Sequence, residues 1–111
     1  LEHVSNQATL DLYKKRRDIL VDGLNEIGWK VRKPVASLYV WARVPKGLTS
    51  ADFAKMLLQD AGVLVIPGNG YGQYGEGYVR MSLTVAGDKD GERVAEAVRR
   101  IRENVKVDWK S

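Results

Sequence analysis

An arginine and the aromatic residues around it are the part of this sequence best suited to chemistry. Arg80 stands in the middle of Tyr78-Val79-Arg80-Met81-Ser82-Leu83-Thr84, directly behind the glycine-rich segment Pro67-Gly68-Asn69-Gly70-Tyr71-Gly72-Gln73-Tyr74-Gly75-Glu76-Gly77. A guanidinium presents its donors in a planar fork that matches a carboxylate, so an arginine in this setting suits recognition of a planar anion. The competing reading is an ordinary strand arginine, solvated on an open sheet face. Other chemistries have less to work with. The single histidine, His3, lies in the first few residues, and there is no cysteine. A metal centre, a histidine-based triad, a disulfide and a thiolate nucleophile therefore have no support.

The elements that must position Arg80 follow from hydrophobic spacing. Residues 78–84 alternate, with Val79, Met81 and Leu83 on one side and Tyr78, Arg80, Ser82 and Thr84 on the other. Ser37 to Val44 alternates in the same way: Leu38, Val40, Ala42 and Val44 form an apolar set, and Tyr39, Trp41 and Arg43 face away. Trp29 to Lys33 reads as a short edge strand ended by Pro34, and Val63 to Ile66 as a short apolar strand inside the sheet. Three helices complete the pattern. The first is capped by Ser5 or Asn6, carries Leu12, Tyr13, Ile19, Leu20, Leu24, Ile27 and the stem of Arg16 on its inner stripe, and stops at Gly28. The second is capped by Thr49 or Ser50, buries Phe53, Ala54, Leu57, Leu58 and Ala61, and ends at Gly62. The third begins at Asp88 and turns Val94, Ala95, Val98, Ile101 and Val105 inward. The predicted order is α-β-β-α-β-β-α, an α+β two-layer sandwich with a mostly antiparallel sheet and the helices on one face. Its uncovered face would carry Tyr39, Trp41, Tyr78 and Arg80, a composition typical of an interface or a ligand wall. Plain cross-strand aromatic pairing would produce the same residues.

Composition bounds the partners. A chain of 111 residues with 18 basic and 14 acidic side chains has a net charge of +4, with the signs interleaved. That excess mildly favours an anionic ligand and falls short of the concentrated basic surface of a nucleic-acid binder. No apolar run approaches the length of a membrane span, and nothing resembles a signal peptide, so a cytoplasmic protein without membrane partners is expected. The opening Leu1-Glu2-His3 reads as the start of a piece of something longer.

Two motifs mislead. Gly70-Tyr71-Gly72-Gln73-Tyr74-Gly75 fits G-x-G-x-x-G, but it leads into a strand rather than a helix N-terminus, so the dinucleotide reading fails. Leu38-Tyr39-Val40 and Gly77-Tyr78-Val79 loosely match the paired motifs of an RNA-recognition sheet, although Arg80 stands where a stacking aromatic is needed. An RNA-binding module, or a protein-interaction domain using the aromatic face, remains the alternative from another functional class.

Three separated segments carry a more specific signal. Lys33-Pro34-Val35-Ala36-Ser37-Leu38-Tyr39-Val40-Trp41, Gly62-Val63-Leu64-Val65-Ile66-Pro67-Gly68 and Gly75-Glu76-Gly77-Tyr78-Val79-Arg80-Met81-Ser82-Leu83 match in order and spacing. Over nearly the whole chain, 1–111, the sequence resembles the C-terminal small domain of fold-type I, pyridoxal-phosphate-dependent aminotransferases. It is most similar to the aspartate-aminotransferase-like branch and leans toward LL-diaminopimelate aminotransferases. The resemblance implies that Arg80 pairs with the substrate α-carboxylate. It also implies that Ala36, Ser37, Leu38 and Tyr39 border the substrate, and that the loop of Gly68, Asn69, Gly70, Tyr71 and Tyr74 moves with domain closure. The parent would pass an amino group between an amino acid and a 2-oxo acid through pyridoxal phosphate, as a homodimer without nucleic-acid partners. The Schiff-base lysine and the cofactor's other ligands would lie on a large domain absent from this chain. No catalytic residue is therefore expected here, and the piece alone is expected neither to hold the cofactor nor to react. Aspartate, glutamate, diaminopimelate and aromatic substrates are not separated at this level.

Overall fold

Leu20, Val21 and Leu24 recur at helical spacing and are buried, which fixes the inner face of helix α1 (Gln7–Ile27). The computed structural model describes residues 7–34, 37–71, 76–85 and 87–109. The expected caps Ser5 and Asn6 lie outside them. Gly28, with φ of +110°, ends α1 as expected. Helix α2 (Ser50–Ala61) is capped by Thr49, whose hydroxyl accepts the Asp52 N–H at 3.1 Å, and is closed by Gly62 in the left-handed region. Helix α3 (Glu92–Asn104) buries Val94, Val98 and Ile101 and leaves Ala95 exposed.

The strands are β1 (Tyr39–Arg43), β2 (Ile66–Pro67) and β3 (Tyr78–Ser82). They form an antiparallel sheet in the order β1-β3-β2, so the strand carrying Arg80 is central. Val40, Ala42 and Val44 join Val79, Met81 and Leu83 in one core with Phe53, Leu57, Leu24 and Ile101. The two-layer α+β architecture thus stands, with its core between the sheet and the three helices.

Two strand assignments need correction, and the described order becomes α-β-α-β-β-α. Trp29 to Lys33 is not a strand. Its polar groups go elsewhere: the Trp29 indole N–H donates to the Arg43 carbonyl at 2.8 Å, and the Val31 N–H donates to Asn25 Oδ1 at 2.7 Å. Ring packing holds Trp29 there, stacked on Trp109 at 4.9 Å and edge-on to Phe53 at 5.3 Å. Of Val63 to Ile66, only Ile66 enters the sheet, and it does so at an edge rather than inside. The Val63 N–H is spent on the Leu57 carbonyl at the end of α2, and Leu64 is 75% exposed. Leu38, one residue before β1, is also partly exposed rather than turned into the core.

Candidate functional site

The strand register determines what surrounds Arg80. Trp41 of β1 and Ile66 of β2 are its direct partners on either side, and directly opposed residues share a face. Tyr39, opposite Ser82, is the diagonal neighbour, and the Arg80 guanidinium carbon lies 4.0 Å from the centre of its ring. Arg43 makes a second, longer contact of this kind, 5.7 Å over Tyr78. The outward positions of the sheet are thus Tyr39, Trp41, Arg43, Tyr78, Arg80, Ser82 and Ile66. Arg80 itself is half-buried, while Tyr39, Trp41 and Ile66 are each about two-fifths exposed at 38%, 42% and 41%. Apolar walls beside a partly desolvated guanidinium lower the local dielectric and strengthen its attraction for an anion.

Both ends of β3 are tied down by side chains. Before it, Glu76 accepts the Ser50 N–H at 2.9 Å, the Ser50 hydroxyl at 3.0 Å and its neighbour Gly77 N–H at 3.0 Å. The bond from the Ser50 backbone is the largest reason the Glu76 carboxyl titrates below its ordinary value. Ser50 is fully buried and its hydroxyl also accepts the Asn69 N–H at 3.2 Å, so one serine ties α2 to both described ends of the glycine segment.

After β3, buried Arg16 reaches across from α1. Its Nε donates to Asp88 Oδ2 at 2.8 Å, Nη1 to the Leu83 carbonyl at 2.9 Å and Nη2 to the Val85 carbonyl at 3.4 Å. Asp88 in turn accepts the N–H groups of Gly91 and Arg93, which lead into α3. Burial pushes the Asp88 carboxyl upward, but the bonds from Arg16 and from the backbone of Arg93 and Gly91 outweigh it and lower the pKa. Glycine is favoured at position 91 by its φ of +81°, a conformation that L side chains rarely adopt, and a Cβ there would push aside the tip of the Ile19 side chain.

Beside the aromatic face runs an open groove of about 1180 Å³ between residues 28–34 and β1, lined by Lys30, Arg32, Lys33, Ser37, Tyr39 and Trp41 among others. Hydrogen bonds to Asp18, and secondly to Asp22, raise the pKa of Lys33 and keep it charged. Among the described residues, no three His, Cys, Asp or Glu side chains converge to hold a metal ion.

Of the residues singled out in the sequence, Arg80, Tyr39 and Ser37 come together at this face. The Ser37 hydroxyl accepts the Tyr39 N–H at 3.0 Å. Gly68, Asn69, Gly70 and Tyr71 form a short 3-10 turn beside β2. Ala36, Tyr74 and the side chain of Tyr71 lie outside the described residues. The sequence reading missed Ile66 as a neighbour of Arg80, Glu76 as an anchor, and the pairing of Arg16 with Asp88. The first needs the β2 register, and the other two span 26 and 72 residues of chain, so no local pattern signals them.

The family model for aminotransferase class I and II matches residues 2–101. The chain belongs to this family. It is 55% identical over 91 residues to the LL-diaminopimelate aminotransferase of Moorella thermoacetica, covering 82% of this chain and 22% of that protein. It is 57% identical, over the same shares, to the enzyme of that name from Oleidesulfovibrio alaskensis. Among solved structures, the L,L-diaminopimelate aminotransferase from Chlamydomonas reinhardtii matches with a TM-score of 0.75 at 34% identity, over 86% of this chain and 22% of that one. The chain therefore spans about a fifth of the length of each of these three relatives, 22%.

Full-length members of this family depend on pyridoxal phosphate. The outward positions around Arg80 do not fit tight retention of that group. A pyridinium nitrogen calls for a carboxylate and the cofactor's aldehyde for an amine, and none of these seven positions is acidic or a lysine. Lys33, at the rim of the neighbouring groove, is held protonated by its two aspartates and is a poor nucleophile.

Proposed function

We propose that residues 1–111 are the C-terminal small domain of a pyridoxal-phosphate-dependent aminotransferase, and that Arg80 binds the substrate's α-carboxylate. The observation that carries this reading is the setting of Arg80. It is central in the sheet, half-buried, laid over the Tyr39 ring and flanked by Trp41 and Ile66. Such a guanidinium can form a two-pronged, charge-assisted pair with a carboxylate. Ser37 and Tyr39 border the substrate, and the segment that begins with Gly68, Asn69 and Gly70 closes over it. The parent enzyme moves an amino group between an amino acid and a 2-oxo acid. LL-diaminopimelate is the favoured substrate, because relatives 55% and 57% identical in sequence carry that activity in their names. It acts in the cytoplasm as a homodimer. No described helix is long and apolar enough to cross a membrane.

Arg80→Ala in the intact enzyme tests the assignment. Losing a charge-assisted carboxylate contact is worth about 2–4 kcal/mol, so kcat/KM for the amino acid falls roughly thirtyfold or more. An unchanged kcat/KM defeats it. The isolated chain mixed with pyridoxal phosphate gives no lasting Schiff-base absorbance and no turnover. Either signal would show that this piece supplies its own reactive lysine.

A further inference from the structure

We infer that Glu76 is a positioning residue: with Ser50 it pins both feet of the connection between β2 and β3, and so sets the strand register that places Ile66 beside Arg80. This rests on the reading of Arg80 as the carboxylate binder and assigns what holds one wall of that site.

The pairing of β2 with β3 has little to hold it by itself. β2 is only Ile66 and Pro67, and a proline has no N–H to give to a ladder. Its pairings are Ile66 with Arg80 and Pro67 with Val79. A slip of one residue would take Ile66 away from Arg80 and turn it toward the other face of the sheet. Closing the connection over residues 68–77 also costs chain entropy, which opposes a fixed register.

The clasp at Glu76 supplies what the short strand lacks. Its Oε2 accepts the Ser50 N–H at 2.9 Å and the Gly77 N–H at 3.0 Å, and its Oε1 accepts the Ser50 hydroxyl at 3.0 Å. An ionised carboxylate only accepts, so the Ser50 hydroxyl must donate to it, and the serine oxygen is left to accept the Asn69 N–H at 3.2 Å. The bonds run in one direction, from Asn69 just after β2, through Ser50, to Glu76 just before β3. Gly77 extends the tie, because its carbonyl accepts the Val44 N–H at 2.7 Å, directly beyond β1. The anchor is firm: Ser50 is fully buried in the first turn of α2, a helix held in the core by Phe53 and Leu57. The positive end of that helix favours the charge on Glu76.

The test uses the intact enzyme with LL-diaminopimelate as amino donor, reading KM and kcat. The variants are Glu76→Ala, Glu76→Gln, Ile66→Ala, the Glu76→Ala/Ile66→Ala pair and, as a control, Thr49→Ala. Thr49→Ala deletes the cap of α2 without touching the clasp, and so separates loss of the clasp from general weakening of that helix. Glu76→Ala and Ile66→Ala are each expected to raise KM about fivefold, with kcat within about twofold of the parent. The pair should be no worse than the larger single change, since Glu76 acts through Ile66. Glu76→Gln should raise KM by less than Glu76→Ala: its amide oxygen can still take the two backbone N–H groups, while its NH2 no longer accepts the Ser50 hydroxyl. Thr49→Ala should leave KM at the parent value. The proposal is overturned if Glu76→Ala leaves KM unchanged, if Thr49→Ala raises KM as much, or if the Glu76 and Ile66 effects multiply. A harmless Arg80→Ala sinks the carboxylate assignment together with this one. A damaging Arg80→Ala with a harmless Glu76→Ala sinks only the role of Glu76.

Discussion

Two arginines in this domain carry the same planar group into opposite environments. Arg16 is sealed inside, with three of its nitrogens donating to Asp88 and to the Leu83 and Val85 carbonyls. Arg80 lies on the outward face of the central strand, with its guanidinium against the Tyr39 ring and its strand partners Trp41 and Ile66. In the first, protein acceptors fill the fork, and its yield is rigidity: α1, the end of β3 and the start of α3 are joined at one point. In the second, the guanidinium carbon lies 4.0 Å from the centre of an aromatic ring on the outward face of the sheet. The type of residue is therefore a poor guide to its use. The surroundings differ in kind: carboxylate and carbonyl oxygens around Arg16, an aromatic ring beside Arg80.

The comparison can be broken most forcefully at Arg16. Arg16→Met strands the buried Asp88 carboxylate without its charge partner and should cost about 3–5 kcal/mol in denaturant unfolding of the intact protein. Replacing Asp88 by Asn as well should recover part of that loss, since the unpaired buried charge is gone while the amide oxygen still accepts a backbone N–H at the start of α3. The same pair gives an acid limb with a definite sign. The folded-state pKa of Asp88 lies below that of the unfolded chain, near 3.9 for an ordinary aspartate. Its contribution is thus fully present above that range and is lost as the pH falls through the lowered folded value. Stability measured against pH should show this limb in the parent and a flatter one in Asp88→Asn.

Arg80→Ala is the next largest change and should act on the other axis. On the proposed reading it should remove about 2–4 kcal/mol of substrate binding, while unfolding stability should move less, by about 1 kcal/mol. A protein that lost stability and kept activity would reverse the roles assigned to the two arginines.

Smaller effects sharpen the picture at the other end of β3. Ser50→Ala removes a buried hydroxyl that bridges Glu76 and the Asn69 N–H, and should cost about 1–2 kcal/mol. Faster hydrogen exchange should then appear at Asn69 and Gly77. Thr49→Ala, which deletes only the cap of α2, should cost about 1 kcal/mol and leave exchange at Gly77 unaffected.

How far the sequence could be read varies with the range of the interaction. Alternation in residues 78–84 correctly turns Val79, Met81 and Leu83 inward and Arg80 outward, and Gly28 and Gly62 correctly end two helices. These are local features, set by strand pleat and by backbone conformations within a few residues. The misread stretches fail for a shared reason. Trp29 to Lys33 and Val63 to Ile66 have strand-like side chains, but their backbone groups find partners in Asn25 and Leu57, and an apolar run carries no record of that competition. Arg16 was legible only in part. Its place on the inner stripe of α1 follows from spacing, and its partner Asp88 does not.

By itself, then, the sequence determined that there are three helices, the facing of the Arg80 strand and, through three ordered segments, the family; it set the third helix too early, at Asp88 rather than Glu92, and turned Leu58 inward where it is half exposed. Only the tertiary structure decided that β3 is central, that Ile66 and Trp41 flank Arg80, and that Tyr39 lies under its guanidinium. The physical reason is that facing is a property of one strand, whereas neighbours are a property of register between strands. Register is fixed by the packing of the whole apolar layer against the helices.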